Sequence, residues 1–508
     1  MPNTGLQVSG QGVSITGDIL DAGARKFVAG LVRAFAERRL ALLDARREAQ
    51  AAWDAGSRPA LPAFPDDDWR AEPAPEPLRD RRVEIVVPAL PGPFGKALGA
   101  GANGVVADFE DGLSPTWPNL MAGQQVLREY WRGSAARSGP QVTARVRGWH
   151  LEDRHVEMDG RCVPAALLDA GLYLFHNLGP AREAGRPLHL CIPKLEGAGE
   201  AALWADVLHH SCDVLNLPAG AVRCSVVIET LPAIFRIDEL LAELRDFVAG
   251  VHAGRWDYVF SFIKTLRSRP DAVLGDRAGL TATEPFVAAY LRRLVDSAHR
   301  RGVHAIGGNG TFVPMEVDAE ADRTARARVR QEKVREVTLG FDGTWVAHPG
   351  LVGVAREAFE EHLPHPNQLY RVFKDSRVTA ADLLEVAAPV VSLDGLRSNI
   401  RAAVRYLAAW LAGEGSVVID NQLEHIGTAE IARSQLWQWL HRNTSLAGGG
   451  TLTSALFDDL LAEETAAAAS RGELPPLDYK RASALLGELV KADGFADFLT
   501  DTAYEELP

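Results

Sequence analysis

Two acids stand where a small parallel-sheet protein would keep its chemistry. Glu229 closes the apolar run CSVVIE, and Asp257 lies in GRWDYVFS, 28 residues later (257 − 229). One helical stretch, DELLAELRDF, separates them, about the length of a βα crossover, so both acids reach the same mouth of a barrel from neighbouring strands. Two carboxylates completed by waters and substrate oxygens suit Mg²⁺, which takes few protein ligands and leaves positions open. Salt-bridged or helix-capping acids are the other reading, and the residues alone leave both open. Arg145 and Arg147 end the run QVTARVRGWH; a permanently charged, planar fork there serves as an anion clamp or oxyanion stabiliser. As i and i+2 on a strand they are predicted to face the same side. Pairing with Glu110 or Asp111 of ADFEDGLSPTW is the alternative; those acids are either solvated turn residues or orient the arginine. His425 opens the helical segment IGTAEIARSQLWQWL, and His348, at the end of GFDGTWVAHPG, reads as structural.

These residues need a scaffold, and the texture of the chain supplies one. Asp18 to Trp53 carries helical periodicity, followed by a Pro-rich, acidic connector, PALPAFPDDDWRAEPAPEPLRD. From Arg81 the runs VEIVVPA, GVVADFE, QVTARVRG, LHLCIPKLE, RCSVVIET, DYVFSFI and HAIGG read as strands, with an apolar strand also in GFDGTWVAHPG. They alternate with helical EAALWADVLHH, DELLAELRDFVAG and EPFVAAYLRRLVDSAHRRG. Such alternation predicts a parallel sheet covered by helices. No GxGxxG opens the first unit, and Asp108, Glu110, Arg147, Lys194, Glu229 and Asp257 recur at the ends of different strands. That favours a (β/α)8 TIM barrel over an open doubly wound sheet. From Thr379 onward the pattern is helical to the end.

A formal net charge of −13 disfavours nucleic acid and anionic membrane surfaces as partners. An anionic substrate therefore needs a local cation. Four cysteines without ligand spacing, Cys162, Cys191, Cys212 and Cys224, read as free thiols of a reducing compartment. No basic-then-apolar leader, no apolar run of membrane length and no terminal peroxisomal tripeptide are visible; the cytoplasm is the expectation.

In order along the chain, RRVEI, ADFEDGLSPTWPN, RVRGWHLEDRH, IPKLEGAGEAALW, VVIETLPAIFRIDELLAELRD, GRWDYVFSFIKTLR, FDGTWVAHPGLV and TAEIARSQLWQW resemble the A-type malate synthases. The resemblance covers roughly Arg81 to Leu440. It implies an α/β architecture with an N-terminal helical clasp and linker (1–80), a TIM barrel (81–375) and an all-helical C-terminal plug (376–508). It further implies Claisen condensation of acetyl-CoA, or a related acyl-CoA, with glyoxylate or a related 2-oxo acid, then thioester hydrolysis. By the same resemblance Glu229 and Asp257 hold Mg²⁺, Gly254, Trp256 and Asp257 of the GRWDY block line the substrate, and Arg147 stabilises the enolate oxygen. Arg145 takes that role if the register is off by one pleat.

The chain departs from the family pattern in two places that bear on chemistry. The family's general base is an Asp in Met-Glu-Asp-Ala-Ala-Thr-Ala-Glu-Ile; here LEHIGTAEI puts His425 at that position. The barrel block Met-Gly-Gly-Met-Ala-Ala-Gln-Ile-Pro reads IGGNGTFVP, changing Asn309, Gly310, Thr311 and Phe312, and a family LPDR turn is LGDR, with Gly275. A changed substrate, lyase or thioesterase chemistry, or a catalytically silent scaffold are therefore the alternatives.

Overall fold

The structure, a computed structural model, describes residues 5–9, 16–62, 68–310, 312–314, 318–372 and 377–507. Thr311 and the expected barrel–plug boundary at 375/376 lie outside the described residues. In chain order the strands are β1 (Leu6–Val8), β2 (Val83–Pro88), β3 (Gly104–Asp108), β4 (Gln141–Arg145), β5 (Glu152–Met158), β6 (Arg161–Pro164), β7 (Leu188–Ile192), β8 (Val222–Ile228), β9 (Val248–Ala253), β10 (His304–Gly307), β11 (Gly343–Val346), β12 (Val417–Ile419) and β13 (Gln422–Glu424). Eight of them, in the order β10-β11-β2-β3-β4-β7-β8-β9, pair in parallel and close into a barrel. Helices cover the outside, so both faces of these strands are buried and their sequences read as apolar runs rather than alternations.

The inward-facing positions follow a period of two and form layers. Lowest is a polar layer: Arg81 donates to Glu84 Oε1 at 2.7 Å and to Ser225 Oγ at 3.0 Å, while His189 bridges Thr143 and Ser225. Above it sit Val86, Val106, Cys191, Val227, Ile306 and Trp345, an apolar cluster enclosed by the strands. One step further along the same face come Asp108, Arg145 and Glu229 at the C-terminal mouth.

DYVFSFI, expected as a strand, is a helix, Arg255–Thr265. The strand is VAGVHA, whose first three residues the sequence pattern assigned to the tail of the preceding helix; that helix ends at Glu243. Residues 257 to 265 are all buried, so the helix lacks the polar stripe that would reveal its period. Asp257 consequently sits in the first turn of a helix, still at the barrel mouth.

The clasp helix runs Ala22–Asp54, capped by Asp21, and packs Val28 and Leu31 against the Ala165–Glu183 helix. A three-stranded antiparallel sheet, β1-β5-β6, not expected from the residue pattern, ties the N-terminal segment to the chain after β4. The C-terminal helices Leu393–Leu411, Ile426–His441, Ser454–Ser470 and Pro476–Lys491 have their own core around Leu396, Ile400, Leu436 and Leu486. They dock on the barrel through Gln435, Gln438 and Trp439, whose side chains bond the backbone of 272–275. Gly275 fits there because a Cβ would lie 2.9 Å from Val390 N. Among the described residues no helix is long and apolar enough to cross a membrane.

Closure between β11 and β2 depends on Gly343, where a Cβ would fall 1.8 Å from the Arg81 carbonyl oxygen. A backbone atom cannot step aside there. Gly343→Ala is expected to lower stability by about 1–3 kcal/mol or more in urea unfolding; an unchanged midpoint would refute this account of closure.

Candidate active site at the barrel mouth

Arg145, the last residue of β4, points into the mouth and touches three acids. Its Nη2 lies 2.5 Å from Asp111 Oδ2 and 3.2 Å from Glu229 Oε2, and its Nη1 3.4 Å from Asp108 Oδ2. Its guanidinium also lies 5.8 Å from the ring centroid of Trp345. Lys194, just past β7, places Nζ 2.8 Å from Asp257, 3.0 Å from Asp111 and 3.5 Å from Glu229. Asp108, Asp111, Arg145, Glu229 and Asp257 line one cleft of about 100 Å³, with Gly254, Arg255, Trp256, Asn309, Leu423 and His425 around it; Lys194 acts on it through its acids.

The charges do not balance. Asp108, Glu110, Asp111, Glu229 and Asp257 present five buried carboxyl groups to two full cations, Arg145 and Lys194. Burial raises the Glu229 carboxyl to about 7 against the pull of Lys194 and Arg145, and the Glu110 carboxyl to about 8. Burial also raises Asp108 and Asp257. At Asp111 burial works in the same direction, but Arg145 and then Lys194 override it and hold the group well below the usual carboxylate range.

This donor set fits a hard divalent cation. Asp111, Glu229 and Asp257 each offer an oxygen within 4.8 Å of the others, and all three are buried. Carboxylate oxygens are the ligands such ions take, and the surplus of negative charge calls for one. Gly254 permits the crowding: a Cβ would sit 2.4 Å from Glu229 Cβ.

Arg147 does not face this cleft. β4 ends at Arg145, and the next backbone N–H on that side, that of Arg147, is drawn outward to Asp169 Oδ2 at 3.0 Å. Its guanidinium makes a two-pronged pair with Asp169, at 2.7 and 2.8 Å, and reaches Asp153 at 2.8 Å. The expected common facing of Arg145 and Arg147 therefore fails where the strand stops. His425 caps the Ile426–His441 helix and lines the cleft. Trp256 lines it too, held by Nε1 on the Asn309 carbonyl at 3.4 Å. His348 caps the turn Pro349–Leu351 with Nδ1 on Gly350 N, a backbone role. Sequence reasoning gave Lys194 no role and left Asp111 between turn and orienting acid. The clustering of acids in ADFED was the available signal for Asp111; Ser416 and Leu423, from the plug, carried none.

Fold and cleft define an enzyme of the (β/α)8 class with its site at the C-terminal mouth. The chain matches the family models described as malate synthase N-terminal domain (residues 5–63), TIM barrel domain (141–386) and C-terminal (391–507). It is 44% identical to the malate synthase of Myxococcus xanthus (strain DK1622), over 96% of this chain and 94% of the relative. It is 40% identical to the glyoxysomal malate synthase of Zea mays, over 98% and 95%, and 38% identical to malate synthase A of Escherichia coli (strain K12), over 96% of each. The chain belongs to the malate synthase family.

Removing the charge of Arg147 leaves Asp153 and Asp169 buried without their cation. Arg147→Met is therefore expected to cost about 3–5 kcal/mol of stability in denaturant unfolding. A variant as stable as the wild type would mean that the pair is not what holds this corner.

Proposed function

We propose that the protein condenses acetyl-CoA with glyoxylate and hydrolyses the resulting malyl thioester to malate and CoA. The observation that carries this reading is the meeting of Arg145, Glu229 and Asp257 in one cleft beneath His425, in a chain aligned with malate synthases from end to end. Glu229 and Asp257, with Asp111 beside them, would hold Mg²⁺, which when bound polarises the oxo group of glyoxylate as a Lewis acid. Arg145, rather than Arg147, takes the enolate oxygen of the acyl thioester, since its permanent charge stabilises the oxyanion as it develops. Glu229 and Asp257 are oriented by Lys194 and by the approach of Gly254. The buried cysteines, free and without disulfide partners, accord with work in the cytoplasm.

His425 stands where the methyl proton has to be taken. Its Nδ1 accepts the Gly427 N–H at 3.2 Å, so the ring acts as a base through Nε2 only by moving its proton to Nδ1 and giving up that bond. Loss of a hydrogen bond of this kind costs about 0.5–1.5 kcal/mol, which lowers the population of the competent tautomer by roughly 2- to 13-fold.

Purified protein with Mg²⁺, acetyl-CoA and glyoxylate is expected to release CoA thiol and form malate, and Glu229→Gln or Asp257→Asn to abolish both. No thiol release across a panel of 2-oxo acids would overturn the reading. His425→Asp, whose carboxylate removes a proton without rearranging, is expected to raise the acetyl-CoA rate by about 2- to 10-fold; a fall instead would assign the imidazole a better fit than the carboxylate.

A further inference from the structure

His425 is held at two points, its ring at Nδ1 and its backbone at the amide. Nδ1 accepts from Gly427 N, the backbone N–H of His425 donates to Thr428 Oγ1 at 2.9 Å, and the ring is nine-tenths buried. A ring nitrogen that accepts bears no proton, so the neutral ring carries its hydrogen on Nε2. Nε2 is buried and has no hydrogen-bond partner among the described residues, and His425 is one of the residues that line the cleft with Arg145, Glu229 and Asp257. Toward an acyl thioester the ring is thus a hydrogen-bond donor. In this tautomer an imidazole that points its N–H at a carbonyl oxygen works as an electrophile, and it serves as a base only after its proton has moved to Nδ1. Arg255 and Asn309 line the same cleft, Arg255 steadied by Glu332 at 2.7 Å and lying over the Trp256 ring. The cleft therefore holds one cationic side chain besides Arg145, that of Arg255, and the amide of Asn309 near it.

We propose a second activity for this cleft, resting on the condensation reading above: decarboxylative condensation of a malonyl-type thioester, an acyl-CoA bearing a carboxylate on its α-carbon, with glyoxylate. The bond from the α-carbon to the carboxylate breaks, CO₂ leaves, and the electron pair stays on the α-carbon as the thioester enolate. Its oxygen is held by the Arg145 guanidinium and the His425 Nε2–H. The enolate carbon then bonds the aldehyde carbon of glyoxylate, whose oxygen takes the displaced pair and a proton from water. Hydrolysis follows as for the acetyl route, with thiolate leaving as CoA. No proton is taken from carbon, so His425 keeps its tautomer and its cap. The extra carboxylate of the substrate enters beside Arg255 and Asn309.

The test supplies wild type and His425→Asp, each with Mg²⁺ and glyoxylate, with acetyl-CoA or with malonyl-CoA carrying carbon-13 in its free carboxylate. Asp is a favoured helix cap, so the variant keeps the helix start; should it not fold, the wild-type arm decides alone. Wild type is expected to form malate from the malonyl thioester with labelled CO₂ and CoA released in equal amounts. His425→Asp is expected to lower the malonyl-to-acetyl ratio of kcat/KM by about 10-fold or more, because a carboxylate repels the substrate's own carboxylate and donates nothing to the enolate. Turnover of acetyl-CoA with malonyl-CoA left intact, or a ratio unchanged by the substitution, would overturn this inference and leave the condensation reading standing. Silence with both thioesters would overturn both.

Discussion

Five carboxyl groups share the barrel mouth with two cations, and the surrounding structure is arranged around that imbalance. Buried charges are tolerated only when paired or bonded, and the pairing here is done across strands. Arg145 on β4 reaches acids at or just past the ends of β3 and β8; Lys194 after β7 reaches acids that follow β3 and β9. The barrel's closure brings these strand ends to within ion-pair distance of one another. Its layered interior, polar below and apolar above, gives the cluster a dry floor in which each charge counts for more than it would in water.

The plug is fitted to the same charges. Gly427, the second residue of its helix, has Asp257 Oδ2 2.6 Å from where a Cβ would be, and Gly415 meets the backbone of Gly112 at 2.3 Å in the same sense. The Ile426–His441 helix therefore begins almost upon Asp257, directing the positive end of its dipole at a region rich in carboxylate. The hairpin of β12 and β13 brings Leu423 and His425 to the cleft wall, so the roof of the site comes from a part of the chain some 170 residues beyond Asp257 (425 − 257 = 168).

Much of this was legible in the residues. Apolar runs alternating with helical periods announce a covered parallel sheet, and acids at the ends of successive runs announce a mouth. What misled was the local limit of a pattern. Alternation places Arg145 and Arg147 on one side only while the strand continues, and nothing in QVTARVRG marks where it stops; the deciding partner, Asp169, lies in a helix 22 residues on. DYVFSFI looks like a strand because burial on all sides erases helical periodicity, while VAGVHA is too short and too small-sided to stand out beside it. The tautomer of His425 is set by a backbone N–H two residues away, a matter of cap geometry that residue types alone do not contain.

The clasp helix owes its place in this scheme to a backbone conformation. Lys194 has φ of 57°, a left-handed setting costly for a residue with a side chain, and such settings persist only where their surroundings over-determine them. Glu229 Oε1 accepts the Lys194 N–H at 2.7 Å from the site side. From the other side Arg46 of the clasp helix donates to the Lys194 carbonyl at 2.7 Å, while the same guanidinium grips Glu200. The ammonium of Lys194 is aimed into the carboxylate cluster by a backbone held from both faces, one of them supplied by a helix that never touches the cleft. An N-terminal strap that only covered the barrel's flank would need apolar contact alone. Arg46 makes it part of the framework that positions the charges.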